Sequence, residues 1–174
     1  MQGIILYGPP AAGKDTVTHA LSSIDERYKI FKRLKVGPGR IDGYRISTSQ
    51  HVERLRSSGD IIWENRRYES LYVIDRPSLE SDLSRHFPVV HAGQLEAIKA
   101  IVDSVDADWL IVYLWCSRRV AERRIIERGT GDVEARLQAW DETAPMVDAD
   151  LSIDTAVMQP SEAAALIDRA ARSM

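Results

Sequence analysis

The run Gly8-Pro9-Pro10-Ala11-Ala12-Gly13-Lys14-Asp15-Thr16 carries the plainest chemistry in this sequence. Gly8 and Gly13 permit backbone torsions that a side chain would hinder, so N–H groups of the loop formed by Pro10, Ala11 and Ala12 can turn inward on phosphate oxygens. A helix beginning behind the loop adds its positive N-terminal end. Lys14 then reaches the β and γ phosphates of a nucleoside triphosphate, with Thr16 beside the α-phosphate. After Gly-Lys the usual residue is Ser or Thr, whose hydroxyl ligates Mg²⁺; here it is Asp15, a hard oxygen donor for the same ion. Its negative charge beside a triphosphate predicts that nucleotide binding depends strongly on the metal.

Such a loop needs a strand before it and a helix after it. Ile4 to Tyr7 is a short apolar run ended by turn residues, and Thr16 to Ser22 is compatible with a helix. Apolar runs recur at Val89–Val90, Leu110–Trp115 and Leu151–Ile153, followed by helix-compatible segments at Gln94–Ser104, Ser117–Arg128 and Ser161–Arg172. This alternation predicts an α/β three-layer sandwich around a parallel central sheet. Residues 32–75 break the rhythm with turns at 37–40 and Asp42-Gly43, a helix-like stretch from Ser47 to Ser58 and short strands at Ile61–Trp63 and Leu71–Ile74. Ser47 and Gln50 have capping-box spacing at the start of that helix. The stretch reads as an insertion projecting from the main sheet, too small to be a separate domain.

The 174 residues, 44% apolar and 28% charged, suit a single domain able to close a core without disulfide or metal staples. Lys plus Arg number 23 against 26 Asp plus Glu, a net charge of −3 that argues against coating a nucleic acid polymer or an anionic membrane. No window approaches the roughly 18 apolar residues of a membrane span, and the first residues lack the basic region of a signal peptide. The lone Cys116, in an apolar run, reads as a buried filler, and the cysteine usage fits a reducing, cytoplasmic setting.

With the loop, the insertion and a basic helix in this order, the chain resembles the guanylate kinase-like branch of the P-loop nucleoside monophosphate kinases. Ser58-Gly59-Asp60-Ile61-Ile62-Trp63-Glu64 is similar to that family's acidic Gly-Glu-Phe-Leu-Glu-Trp stretch. Glu122-Arg123-Arg124-Ile125 with Arg128-Gly129-Thr130 resembles its lid motif, and Asp150-Leu151-Ser152-Ile153-Asp154-Thr155 its terminal strand near the adenine. The resemblance implies a core of residues 1–31 and 76–174, an acceptor-binding insertion of residues 32–75 and a mobile lid at about 128–136. It implies ATP as co-substrate, Mg²⁺ as cofactor, and transfer of a γ-phosphoryl group to a small phosphorylated acceptor, with a nucleoside monophosphate first in line. Asp154 and Thr155 would then lie near the ATP base. A monomer or homodimer is expected.

The departures from the family concentrate in the insertion. Its Thr-Thr-Arg-x-Pro-Arg run is replaced by a segment that keeps Arg33, Lys35 and Arg40, enough positive charge for a phosphate clamp. Tyr44 and Tyr72 can replace the family's two phosphate-contacting tyrosines, Trp63 lies where an acceptor base could stack, and Glu64 is a partial candidate for reading it. The Asp of the family's Asp-Val-Gln-Gly segment aligns with His91, which either contacts substrate or fills a polar strand end. With the guanine-reading side chains largely replaced, the acceptor need not be GMP. A sugar phosphate kinase, as in the ribosyl bisphosphate kinases, and a non-catalytic guanylate kinase-like binding module are the two alternatives.

Along the helix at 117–128, Arg119 pairs with Arg123 and Arg124 with Arg128 at i,i+4, while Glu122 and Glu127 interleave as they would on an ordinary solvated face. Beside a phosphate loop such guanidinium groups suit the oxygens of a transferring phosphoryl group. Arg124, Arg128 and Arg136 match the family's lid arginines, which implies that they stabilise the transition state. Asp75 has two readings, a residue of the insertion or the strand-ending acid that organises the metal's water shell in many P-loop proteins.

Overall fold

The computed structural model describes residues 1–39, 41–67 and 69–174. Five strands, β1 (Gln2–Tyr7), β2 (Tyr28–Ile30), β7 (Phe87–Ala92), β8 (Asp108–Trp115) and β9 (Leu151–Asp154), form one sheet in the order β2-β7-β1-β8-β9. All of its pairings are parallel. The alternating faces of β1 explain the layering. Ile4 and Leu6 pack with Val17 and Leu21 of α1 (Lys14–Ile24) and with Ala163, Ala164 and Ile167 of α7 (Pro160–Ala171). Ile5 and Tyr7 point the other way, onto Leu79 of α3 (Arg76–Leu83) and Ile98 and Ile101 of α4 (Leu95–Ser104). Side chains that alternate between two apolar layers read as an unbroken apolar run, so β1 shows no polar face.

A second sheet orders its strands β4 (Arg45–Ile46), β3 (Leu34–Val36), β6 (Ser70–Asp75), β5 (Ile61–Arg67), with α2 (Ser49–Ser57) packed against it. Leu34, Val52, Leu71 and Val73 make its own small core. The expected strands at Ile61–Trp63 and Leu71–Ile74 are therefore longer and belong to a four-stranded sheet. The expected cap moves by one residue. Ser47 donates its N–H to the Lys35 carbonyl at 2.9 Å and its hydroxyl meets His51 Nδ1 at 2.8 Å, so Thr48 caps α2 by accepting from the His51 N–H.

Besides the short strands β3 and β4, three elements had no clear signal in the sequence. β2 is a three-residue edge strand, and α3 is capped by Asp75, whose carboxylate accepts from the Ser78 N–H. The third, α6 (Val133–Asp141), follows α5 (Arg118–Arg128) across a four-residue turn and packs on it through Val133, Leu137 and Trp140. An Arg118–Asp141 ion pair at 2.8 Å joins the two helices. Among the described residues, no helix is long and apolar enough to cross a membrane.

Candidate active site

The loop after β1 takes the shape its glycines require. A Cβ at Gly8 would stand 2.0 Å from the Leu114 carbonyl oxygen, so the close approach of loop and β8 excludes every other residue. Gly13, at φ 89°, is the N-cap of α1, a left-handed conformation that glycine adopts without a Cβ clash. Ala11 also takes positive φ, at 62°. The Lys14 ammonium donates to the Gly8 carbonyl and, at 2.9 Å, to the Pro9 carbonyl. Burial pulls its pKa down to about 8; Asp15 opposes that shift, while Arg33 and Arg128 add to it.

From this loop a cleft of about 680 Å³ runs to the second sheet. It is lined at one end by Gly8, Pro10, Ala11, Ala12, Gly13, Lys14 and Asp15, and at the other by Arg33, Lys35, Tyr44, Trp63 and Tyr72, with His91 between them. Arg128 and Arg136 line it from α5 and α6. The structure thus brings together most of the residues singled out from the sequence. Arg40 lies outside the described residues.

Strand geometry arranges the far end. Lys35 and Asn65 both pair with Tyr72 across β3, β6 and β5, which sets three cleft-lining side chains in one transverse row. The Tyr44 and Tyr72 rings stand 5.2 Å apart between centroids. The Arg33 guanidinium lies 5.8 and 5.4 Å from these rings, and the Lys35 ammonium 5.7 and 5.9 Å. Lys35 is 2% exposed, and its ammonium donates to the Pro38 carbonyl beside the aromatic walls of the cleft.

Six of the residues singled out from the sequence lie outside the cleft lining. Glu64 is outside the cleft lining: its carboxylate takes Arg56 of α2 at 2.7 Å, because adjacent residues of a strand face opposite sides. By the same rule Asn65 and Arg67 fall on the cleft side with Trp63, two residues that alternation counted from Trp63 could have revealed. Arg124 is committed to the scaffold, Nη1 donating at 3.0 Å to the Ala11 carbonyl and to Thr155 Oγ1, and Nη2 at 2.6 Å to the Thr155 carbonyl. Thr155 stands beside Gly13, and Asp154 accepts from the Ala156 N–H at 2.8 Å, so both flank the loop outside the cleft. Thr16 is exposed on the first turn of α1 and does not line the cleft either. Asp75, finally, is 3% exposed, caps α3 and pairs with Arg45, which makes it a structural acid of the second sheet.

Gln94 and Asp132 also line the cleft without having been singled out. The Asn65 amide donates to Gln94 Oε1 at 3.0 Å, linking β5 to the start of α4. Burial alone would raise the Asp132 pKa, but hydrogen bonds from Arg136 and Thr130 outweigh it and hold the carboxyl below its usual range. Cys116 is buried and burial pushes its thiol up, as suits a core filler.

A parallel sheet with this strand order and a Gly-Lys loop between β1 and α1 defines a P-loop fold. No protein-family model matches the sequence, and no curated protein matches it. The structure is similar to guanylate kinase from Anaplasma phagocytophilum, with TM-score 0.60 and 16% identity over 98% of this chain and 84% of that one. It is also similar to a gluconokinase from Sinorhizobium meliloti, with TM-score 0.55 and 20% identity over 99% of this chain and 94% of that one. The fold is that of the guanylate kinase-like P-loop kinases.

Proposed function

We propose that the protein is a phosphotransferase that moves the γ-phosphoryl group of ATP to a small phosphorylated acceptor, a nucleoside monophosphate other than GMP. One observation carries this reading. Lys14, Arg33, Lys35, Arg67, Arg128 and Arg136 converge on a single cleft that joins the phosphate loop to the second sheet. A cleft whose basic side chains outnumber its acidic ones, Asp15, Asp42 and Asp132, concentrates and orients anionic groups, and phosphoryl transfer gains most of its rate from such positioning.

In this reading residues 32–75 hold the acceptor and about 128–136 form the lid. Lys14 exchanges the Gly8 and Pro9 carbonyls for phosphate oxygens, and Arg128 and Arg136 approach the transferring group from the lid. Arg33 and Lys35, held against Tyr44 and Tyr72, clamp the acceptor phosphate. Asp15 fits a divalent ion because its hard carboxylate oxygen lies on the cleft, and Mg²⁺ held there supplies charge neutralisation of the β and γ phosphates. Trp63 offers a ring on which a base can stack. Neither Glu64 nor an acid at position 91 is available to read guanine's donor edge, which favours another base. The same absence supports a second reading, a sugar phosphate acceptor.

Identification of products after incubation with ATP, Mg²⁺ and a panel of nucleoside monophosphates and sugar phosphates tests both. The expected product is a non-guanine nucleoside diphosphate, and Lys14→Ala is expected to lower turnover by about two orders of magnitude. Nucleotide binding with no product from any acceptor would instead favour a non-catalytic module.

A further inference from the structure

We infer, on the reading of the acceptor as a nucleoside monophosphate, that Asn65 and Gln94 together select its base. They take a base whose hydrogen-bonding edge alternates donors and acceptors, adenine or uracil, and turn away guanine and cytosine.

Both side chains are half-buried and line the cleft. Asn65 shares a face of β5 with Trp63, two residues earlier, so a base stacked on that indole brings its edge to the Asn65 amide. Neighbouring strands stand about 4.8 Å apart, which puts Lys35 and Asn65, one strand to either side of Tyr72, about 10 Å apart. That leaves room for a sugar between an acceptor phosphate at Lys35 and a base at Asn65. Gln94 reaches the same place from α4. It occupies the N-cap, where a shorter side chain would accept from the first helical N–H groups, yet it makes no capping bond. Its Oε1 accepts from the Asn65 amide at 3.0 Å instead.

One bond between two carboxamides fixes a pattern. From Asn65 to Gln94 the polar atoms run Oδ1, Nδ2, Oε1, Nε2, which is acceptor, donor, acceptor, donor. Exchanging oxygen and nitrogen in both amides keeps the bond and the alternation, so the pattern holds in either orientation. The bond uses one hydrogen of a nitrogen that carries two and one lone pair of an oxygen that has two, so each atom of the row can still meet a base. Uracil presents O4, N3–H and O2, an alternating edge that matches the row at three points. Adenine matches it at the N6 amino group and a ring nitrogen, and its C2–H asks nothing of a third atom. Guanine follows O6 with two donors, N1–H and N2–H, and cytosine follows its N4 amino group with two acceptors, N3 and O2. Each therefore sets one group against its own kind, and a polar group left unpaired in a confined site costs more than a weak contact gains.

The test is steady-state kinetics of the full chain with ATP and Mg²⁺, comparing kcat/KM for AMP, UMP, GMP and CMP as acceptors. AMP and UMP are expected to exceed GMP and CMP by about tenfold or more. Asn65→Asp sets two acceptor oxygens side by side, the partners that N1–H and N2–H of guanine need, and should raise the ratio of GMP to AMP by about tenfold or more. Gln94→Glu should do the same from the other amide, with circular dichroism confirming that each variant is folded. A merely structural link between β5 and α4 would lower all four acceptors together and leave that ratio unchanged, which overturns the inference. GMP or CMP turned over as well as AMP and UMP by the unmodified protein also overturns it and leaves the phosphotransferase reading intact. Product from a sugar phosphate alone, or from no acceptor, overturns the nucleotide reading and the inference together.

Discussion

Arg124 grips Thr155 at both ends of its guanidinium group, 3.0 Å to the hydroxyl and 2.6 Å to the carbonyl, and through a third bond of 3.0 Å holds the Ala11 carbonyl. The contact ties the end of β9 and the phosphate loop to α5. Hydrogen bonds from a charged group contribute about 1.5–3 kcal/mol when a partner is removed. Arg124→Ala is expected to lower stability in urea unfolding by about 2 kcal/mol. Arg128→Ala, on an exposed last turn, should leave stability within about 0.5 kcal/mol and act on turnover instead. Equal stability losses in the two variants would remove the distinction drawn here between scaffold and lid.

Lys14 gives nucleotide binding a pH dependence of definite sign. Its pKa is near 8 in the protein, and a bound triphosphate favours the charged ammonium and raises it. Affinity should be full below pH 8 and decline as pH rises through that value, with proton uptake on binding in the same window. Calorimetry of ATP binding in buffers of different ionisation enthalpy measures that uptake. Lys14→Arg, always protonated, should abolish it, and a wild-type affinity flat from pH 7 to about 9.5 would contradict the assignment.

Asp75 separates two roles that the sequence left open. As the cap of α3 and partner of Arg45, its loss in Asp75→Ala is expected to cost about 2–3 kcal/mol of stability. Metal-dependent nucleotide affinity should be unchanged at a temperature where the variant is folded. A selective loss of metal dependence with normal stability would restore the metal-organising reading.

Lys35→Met keeps the buried stem and removes the charge beside the Tyr44 and Tyr72 rings. The acceptor KM is expected to rise about tenfold or more, the size of one lost charged hydrogen bond, with ATP affinity unaffected. Steady-state kinetics varying each substrate in turn reads the two effects separately. An unchanged acceptor KM would place the phosphate clamp elsewhere in the cleft.

The phosphate loop and the strands around it were legible in the sequence because their determinants are local: a glycine where the backbone of β8 crowds the chain, a glycine at the left-handed start of α1, and apolar runs whose two faces are both buried. The ranks within the site were not. Whether residue 64 or 65 faces the cleft depends on the pairing of β5 with β6, and a one-residue difference in phase turns Glu64 toward Arg56 and Asn65 toward the cleft. Arg124 and Arg128 share one face as an i,i+4 pair, and it is their position one turn apart along α5 that puts Arg124 against the scaffold and Arg128 on the cleft. Residue type and spacing determined the glycine-framed loop between β1 and α1 and the apolar strands behind it. Tertiary structure alone decided which cations, amides and acids share the cleft, because strand register and helix packing are fixed by contacts between segments far apart in the chain.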